Sequence, residues 1–146
     1  WGGATLANGE TEDDLREMAA AGAAAFKSFM ASSSPFFPAV DAARLMAVMR
    51  VAAETGLPYG LHAEDDALLK DGIARLRAAG RTDPLAHAES RPPVVETVAV
   101  ATALVLAEET GAHVHVCHVA SAAALRLIAD AKRRGLSVTC ETCPQY

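Results

Sequence analysis

The chain has 146 residues, 51% hydrophobic and 21% charged, with a net charge of −5. This is globular composition, and the acidic balance argues against nucleic acid or an anionic membrane as partner, since both attract basic patches. Apolar runs are broken by charge before ~18 residues, so no membrane-spanning helix is expected.

The opening WGGATLANGE lacks the basic-then-apolar order of a signal peptide, and it starts on tryptophan, so an N-terminus further upstream is expected. Three cysteines, Cys117, Cys140 and Cys143, are too few for a disulfide framework and fit a reducing cytoplasm. CETC lacks the second pair of a zinc ribbon and does not open a helix, so Cys140 and Cys143 are taken as structural thiols.

Residues 11–22, TEDDLREMAAAG, predict a helix with Thr11 as N-cap, acids in the first turn and Gly22 as stop. AAAFKSFM is a strand-length apolar run, followed by the loop ASSSPFFPAV. Residues 41–56 predict a helix with Leu45, Val48, Met49 and Ala52 on one face and Gly56 at its end. LPYGLHAED (57–65) is a second strand, and 66–80 a helix weakened by Gly72. Residues 81–93 show turn chemistry without a period. A strong helix follows at 94–111, then the β-branched strand AHVHVCHVAS (112–121), a helix at 121–135, and a last strand opening at LSVTC. Strands alternating with helices imply a parallel sheet built from right-handed crossovers. Four strands would leave two open edges, so the α/β unit reads as part of a larger sheet.

Lys27 stands between Phe26 and Phe29, where a buried ammonium is costly. One reading is that its stem packs while its head reaches water. The other comes from its neighbours: Lys27, His62 and His118 each close a predicted strand. In a (β/α) barrel, side chains at successive C-terminal strand ends converge on one mouth. Alternation puts Val114, Val116 and His118 on one face, taken as the inner one, with His113, His115 and Cys117 toward the helices. Two imidazoles and a lysine make a candidate site for zinc or a similar ion. His87 and His113 are taken as ordinary hydrogen-bonded histidines, and His115 as packed against a helix. Glu64 and Asp65 either orient ligands or are solvated loop acids. Arg91 pairs with Glu96 in this reading. Glu141 and Ser32 are candidate lining residues.

GAAAFKSFM resembles the lysine strand of the cyclic amidohydrolases, namely the allantoinases, dihydropyrimidinases (hydantoinases) and dihydroorotases. GLHAEDD resembles their next histidine strand. SRPPVVETVAVATALVLAEETGAHVHVCHVAS and LSVTCETCPQY resemble the helix, histidine strand and strand that follow. The resemblance implies that residues 1–146 are an internal segment of one (β/α)8 TIM-barrel domain, about strands four to seven. It implies two divalent metal ions, zinc foremost, bridged by Lys27 after it has added carbon dioxide to become a carbamate. His62 and His118 would ligate one ion. Two ions ~3.5–4 Å apart activate a hydroxide that opens a small cyclic amide.

The first-strand HxH pair and the last-strand aspartate of the family have no match here, so the segment alone is expected neither to turn over substrate nor to fold stably. A barrel needs ~250 residues to close. Hydantoinases carry a tyrosine five positions after the lysine, where this chain has Ser32, and HVCHVAS and VTCETCPQY are most like allantoinase. Hydantoinase-like and dihydroorotase activities, and a metal-free binding or assembly relative, remain the alternatives. A homo-oligomer is expected of the full-length protein by analogy.

Overall fold

The computed structural model describes residues 1–32 and 34–146; Ser33, in the expected loop 31–40, lies outside them. Five parallel strands, β1 (Gly2–Gly3), β2 (Phe26–Phe29), β3 (Tyr59–His62), β4 (Val114–Val116) and β5 (Val138–Cys140), pair in chain order. Helices α1 (Glu12–Ala20), α2 (Ala42–Thr55), α3 (Asp66–Ala78), α4 (Pro84–Glu89), α5 (Pro93–Thr110) and α6 (Ala122–Arg133) fill the crossovers. Sequential parallel order with helical crossovers is how part of a (β/α)8 barrel is built.

The helix ends follow the capping chemistry of the sequence. Thr11 and Asp14 form a reciprocal capping box at α1. Asp41, Asp65 and Ser121 accept from backbone N–H groups at the starts of α2, α3 and α6. Gly56 and Gly111 close α2 and α5 at φ of 70° and 73°, which a side chain would resist. Leu45, Val48, Met49 and Ala52 are all buried as expected. Each large side chain so buried contributes about 1.5–3 kcal/mol.

Four features differ from the sequence reading. β1 was not anticipated, because two glycines carry no strand preference. Residues 84–89 are helical: Asp83 accepts from the N–H groups of Leu85 and Ala86, and Pro84 suits the first helical position. Gly72 does more than weaken α3, since a Cβ there would lie 2.6 Å from the carbonyl oxygen of Ser90. Finally, Pro84–Thr110 is long and apolar enough to cross a membrane by length and composition. That length comes from joining two helices, and α5 buries Val95, Ala99, Val100, Ala103, Leu104 and Ala107. It is a core helix.

The alternation of the strands sorts the two faces. Phe26, Ser28, Tyr59, Leu61, Val114, Val116 and Val138 are buried on the helix side. Lys27, Phe29, Gly60, His62, His115, Cys117, Thr139 and Glu141 therefore occupy the opposite, inner face. Within the helix-side core, the Tyr59 hydroxyl donates to Ser28 Oγ at 2.6 Å, and Ser28 donates to the Ala4 carbonyl. This chain of bonds fastens β3 to β2 and to the residue after β1. Tyr59→Phe keeps the volume but leaves Ser28 one partner short. We expect it to cost about 1–2 kcal/mol, read as a lower urea midpoint, with an unchanged midpoint as the contrary result.

Candidate metal centre

His62 is the last residue of β3, and its inward direction follows from the pleat. His118 lies two residues beyond β4 and has the parity of Val114 and Val116, which point to the helices. It reaches the inner side because its backbone is left-handed, with φ of 42°. The sequence-based facing of β4 is thus reversed: Val114 and Val116 are buried in the helix-side core, where α5 lies against β4, and His115 and Cys117 point inward. Period-two alternation defines two faces without saying which one the helices cover.

The result brings the two histidines together. His62 Nδ1 and His118 Nε2 are 2.9 Å apart, within hydrogen-bond distance, while His62 Nε2 is 2.7 Å from Glu64 Oε2. Arg91 Nε in turn approaches Glu64 Oε1 at 3.3 Å. Of the two acids after His62, Glu64 orients the imidazole and Asp65 caps α3. The expected Arg91–Glu96 pair is replaced: Glu96 accepts from the N–H groups of Ala120 and Ser121, at 2.9 and 2.7 Å.

Lys27 does not close its strand. It is the second of four residues in β2, opposite Gly60, so its long stem must climb to reach the histidine level. Its Nζ donates to Cys117 Sγ at 2.8 Å and sits 5.2 and 5.9 Å from the ring centres of Phe29 and Trp1. Trp1 covers Gly60 so closely that a Cβ there would collide with its ring. Phe29 stacks on His62 at 5.1 Å, linking the lysine to the histidine pair. Cys117 was missed as a neighbour of Lys27 because its facing was inverted.

The carboxyl of Glu64 is held below its usual range, chiefly by the hydrogen bond from His62. The imidazole of His118 is pushed below its ordinary 6.5 by burial first, then by the charges of His62 and Lys27. A depressed histidine is neutral and free to ligate near neutral pH. The sign of the stability effect follows: between the folded value and 6.5 the unfolded chain binds more protons, so the metal-free fold loses stability as pH falls through that window. Denaturation at about pH 7.5 and about pH 5.5 should give the lower midpoint at the acid end, a difference reduced in His118→Gln. Equal midpoints would contradict it.

A cleft of about 790 Å³ opens beside the pair, lined by Ser32, His62, Glu64, His87, Arg91, His118 and Tyr146 among others. Lys27 is not among the residues that line this cleft, and Glu141 borders a separate one of about 370 Å³, its Oε2 3.6 Å from His115 Nε2. His113 bonds Thr139 at 3.2 Å and has an ordinary structural role.

No protein-family model matches the chain. Over all its residues it is 41% identical to an allantoinase of Deinococcus radiodurans, of which it spans 32%. It is 37% identical to a dihydroorotase of Lactiplantibacillus plantarum, over 98% of the chain and 32% of that protein. The fold matches a solved L-hydantoinase (dihydropyrimidinase) from Arthrobacter aurescens with a TM-score of 0.93 and 35% identity, over 99% of the chain and 32% of that structure. The chain therefore belongs to the cyclic amidohydrolases and spans about a third of the length of the relatives it matches.

Proposed function

We propose that the protein carrying these residues hydrolyses a small cyclic amide, opening the ring of allantoin or a related ureide, and that residues 1–146 form part of a single barrel domain. The observation that carries this reading is the meeting of His62 Nδ1 and His118 Nε2 at 2.9 Å on the face that bears Lys27. Two imidazole nitrogens competing for one proton are a donor set that a divalent cation such as zinc would satisfy better. When bound, a pair of such ions supplies a hydroxide near neutral pH and polarises the carbonyl under attack.

The chain's own residues prepare that chemistry. Lys27, once its amine is unprotonated, adds to carbon dioxide; a C–N bond forms, a proton leaves, and the amine becomes an anion with two ligating oxygens. The rings of Trp1 and Phe29 lie 5.9 and 5.2 Å from its Nζ and form two sides of its surroundings. Glu64, braced by Arg91, fixes which nitrogen of His62 carries the proton. Glu96 holds the turn after His118. The substrate ring enters the cleft beside Ser32, whose small side chain leaves room for a polar substituent. The segment supplies only part of the family's ligand set, so by itself it should not turn over substrate.

The higher identity to an allantoinase supports the ureide, and the likeness to an L-hydantoinase structure makes a hydantoin the second substrate to test. Allantoin, hydantoin, dihydrouracil and dihydroorotate should be assayed in parallel on the full-length protein loaded with zinc, cobalt or manganese. Fastest opening of allantoin is expected. Failure to open any cyclic amide would overturn the reading.

A further inference from the structure

The inner face carries a second set of donors, made of none of the residues assigned above to the metal pair. His115, Cys117 and Glu141 come from β4, its C-terminal extension and the residue after β5, and their ligand atoms lie within 4.8 Å of one another. His115 Nδ1 is fixed by Thr139 Oγ1 at 2.8 Å, which turns Nε2 toward Glu141 Oε2, 3.6 Å away and beyond hydrogen-bond reach. Trp1 packs edge-on against the His115 ring and limits its rotation. Cys117 is buried, and among the described residues its sulfur makes a hydrogen bond with one charged group, the Lys27 ammonium at 2.8 Å.

We propose that His115, Cys117 and Glu141 form a distinct binding site for a divalent cation of borderline softness, zinc or cobalt, with Lys27 as the group that controls its occupancy. An imidazole, a thiolate and a carboxylate, with one position left open, suit a tetrahedral zinc-type ion and disfavour calcium or magnesium. The hydrogen bond from Thr139 is the orienting contact that ligating histidines use on their second nitrogen. On binding, the thiol proton of Cys117 passes to solvent and the sulfur–metal bond replaces the Lys27 hydrogen bond. The lysine side chain then has to turn away, because an ammonium that close to the sulfur repels the incoming cation. The site rests on inner-face geometry and stands whether or not the protein opens cyclic amides.

Lys27 separates the two sites experimentally. The histidine pair proposed above needs the lysine, whereas the thiolate site is inhibited by it. Metal-stripped full-length protein titrated with cobalt(II) should develop a near-ultraviolet thiolate-to-cobalt charge-transfer band, which a site of imidazoles and carbamate cannot produce. Cys117→Ser should abolish the band. His115→Ala and Glu141→Gln should each weaken cobalt binding on the order of tenfold or more, and Glu141, being exposed, can be changed without threatening the fold. Lys27→Ala should retain the band at equal or lower cobalt concentration. Absence of the band in folded wild-type protein, its survival in Cys117→Ser, or its loss in Lys27→Ala would each overturn the proposal.

Discussion

Lys27→Ala in the full-length protein is expected to reduce ring opening by roughly a thousandfold or more, because it removes the proposed bridging anion on which activation of the hydroxide depends. The fold should survive. Lys27 is half-buried on the inner face and makes one side-chain hydrogen bond, to Cys117, worth about 1 kcal/mol. The substitution leaves a gap beside Trp1, Phe29 and Cys117 that a small carboxylic acid can enter. Formate or acetate should therefore restore part of the activity and of the bound metal, in proportion to its concentration. Metal analysis and steady-state turnover, with and without the acid, read both effects. Two metals per chain and ordinary turnover in Lys27→Ala would remove the lysine from the site.

Glu96→Ala should weaken both the fold and the metal centre from outside the ligands themselves. The Glu96 carboxylate, in the first turn of α5, accepts from the N–H groups of Ala120 and Ser121, just after His118. Charge-assisted bonds of this kind are worth about 1.5–3 kcal/mol each when buried, and partial exposure reduces the pair to about 2 kcal/mol together. The same bonds hold the left-handed turn that carries His118 across to His62. Glu96→Ala should thus lower both the urea midpoint and the affinity for metal, and Glu96→Gln, which keeps one acceptor oxygen, should recover part of each. A Glu96→Ala protein that unfolds and binds metal like the parent would refute this role.

Much of this architecture is written locally. Thr11, Asp41 and Gly56 act within one turn of chain, so their effects are legible from neighbouring letters. The alternating order of elements likewise follows from periodicity. What is not local is which face of β4 the helices cover: Val114 and Val116 differ from His115 and Cys117 in polarity, but a barrel strand is buried on both sides. The apolar side proved to be the helix side, and His118 reached the centre only through its left-handed backbone. The partner of Arg91 was equally hidden, because choosing Glu64 over Glu96 depends on where the β3–α3 turn meets the start of α5. The strand Gly2–Gly3 left no signal, since its place is set by pairing with Phe26 and Lys27. Strand-end placement and resemblance to the family both picked out Lys27, His62 and His118, whereas Cys117, and the choice of Glu64 over Asp65 as the acid that meets His62, needed three dimensions.

The central claim is that Lys27, His62 and His118 hold cations together, with the lysine converted to a carbamate. Carbon-13 NMR of the metal-loaded full-length protein, prepared in labelled bicarbonate, tests it directly when combined with metal analysis. A labelled carbamate resonance on Lys27 with two ions bound at its centre, the resonance and those two ions lost in Lys27→Ala and reduced in His62→Ala and His118→Ala while an ion held by Cys117 stays, is the predicted result. A protein that opens cyclic amides with no labelled carbamate, or whose metal content is indifferent to the two histidines, would contradict it.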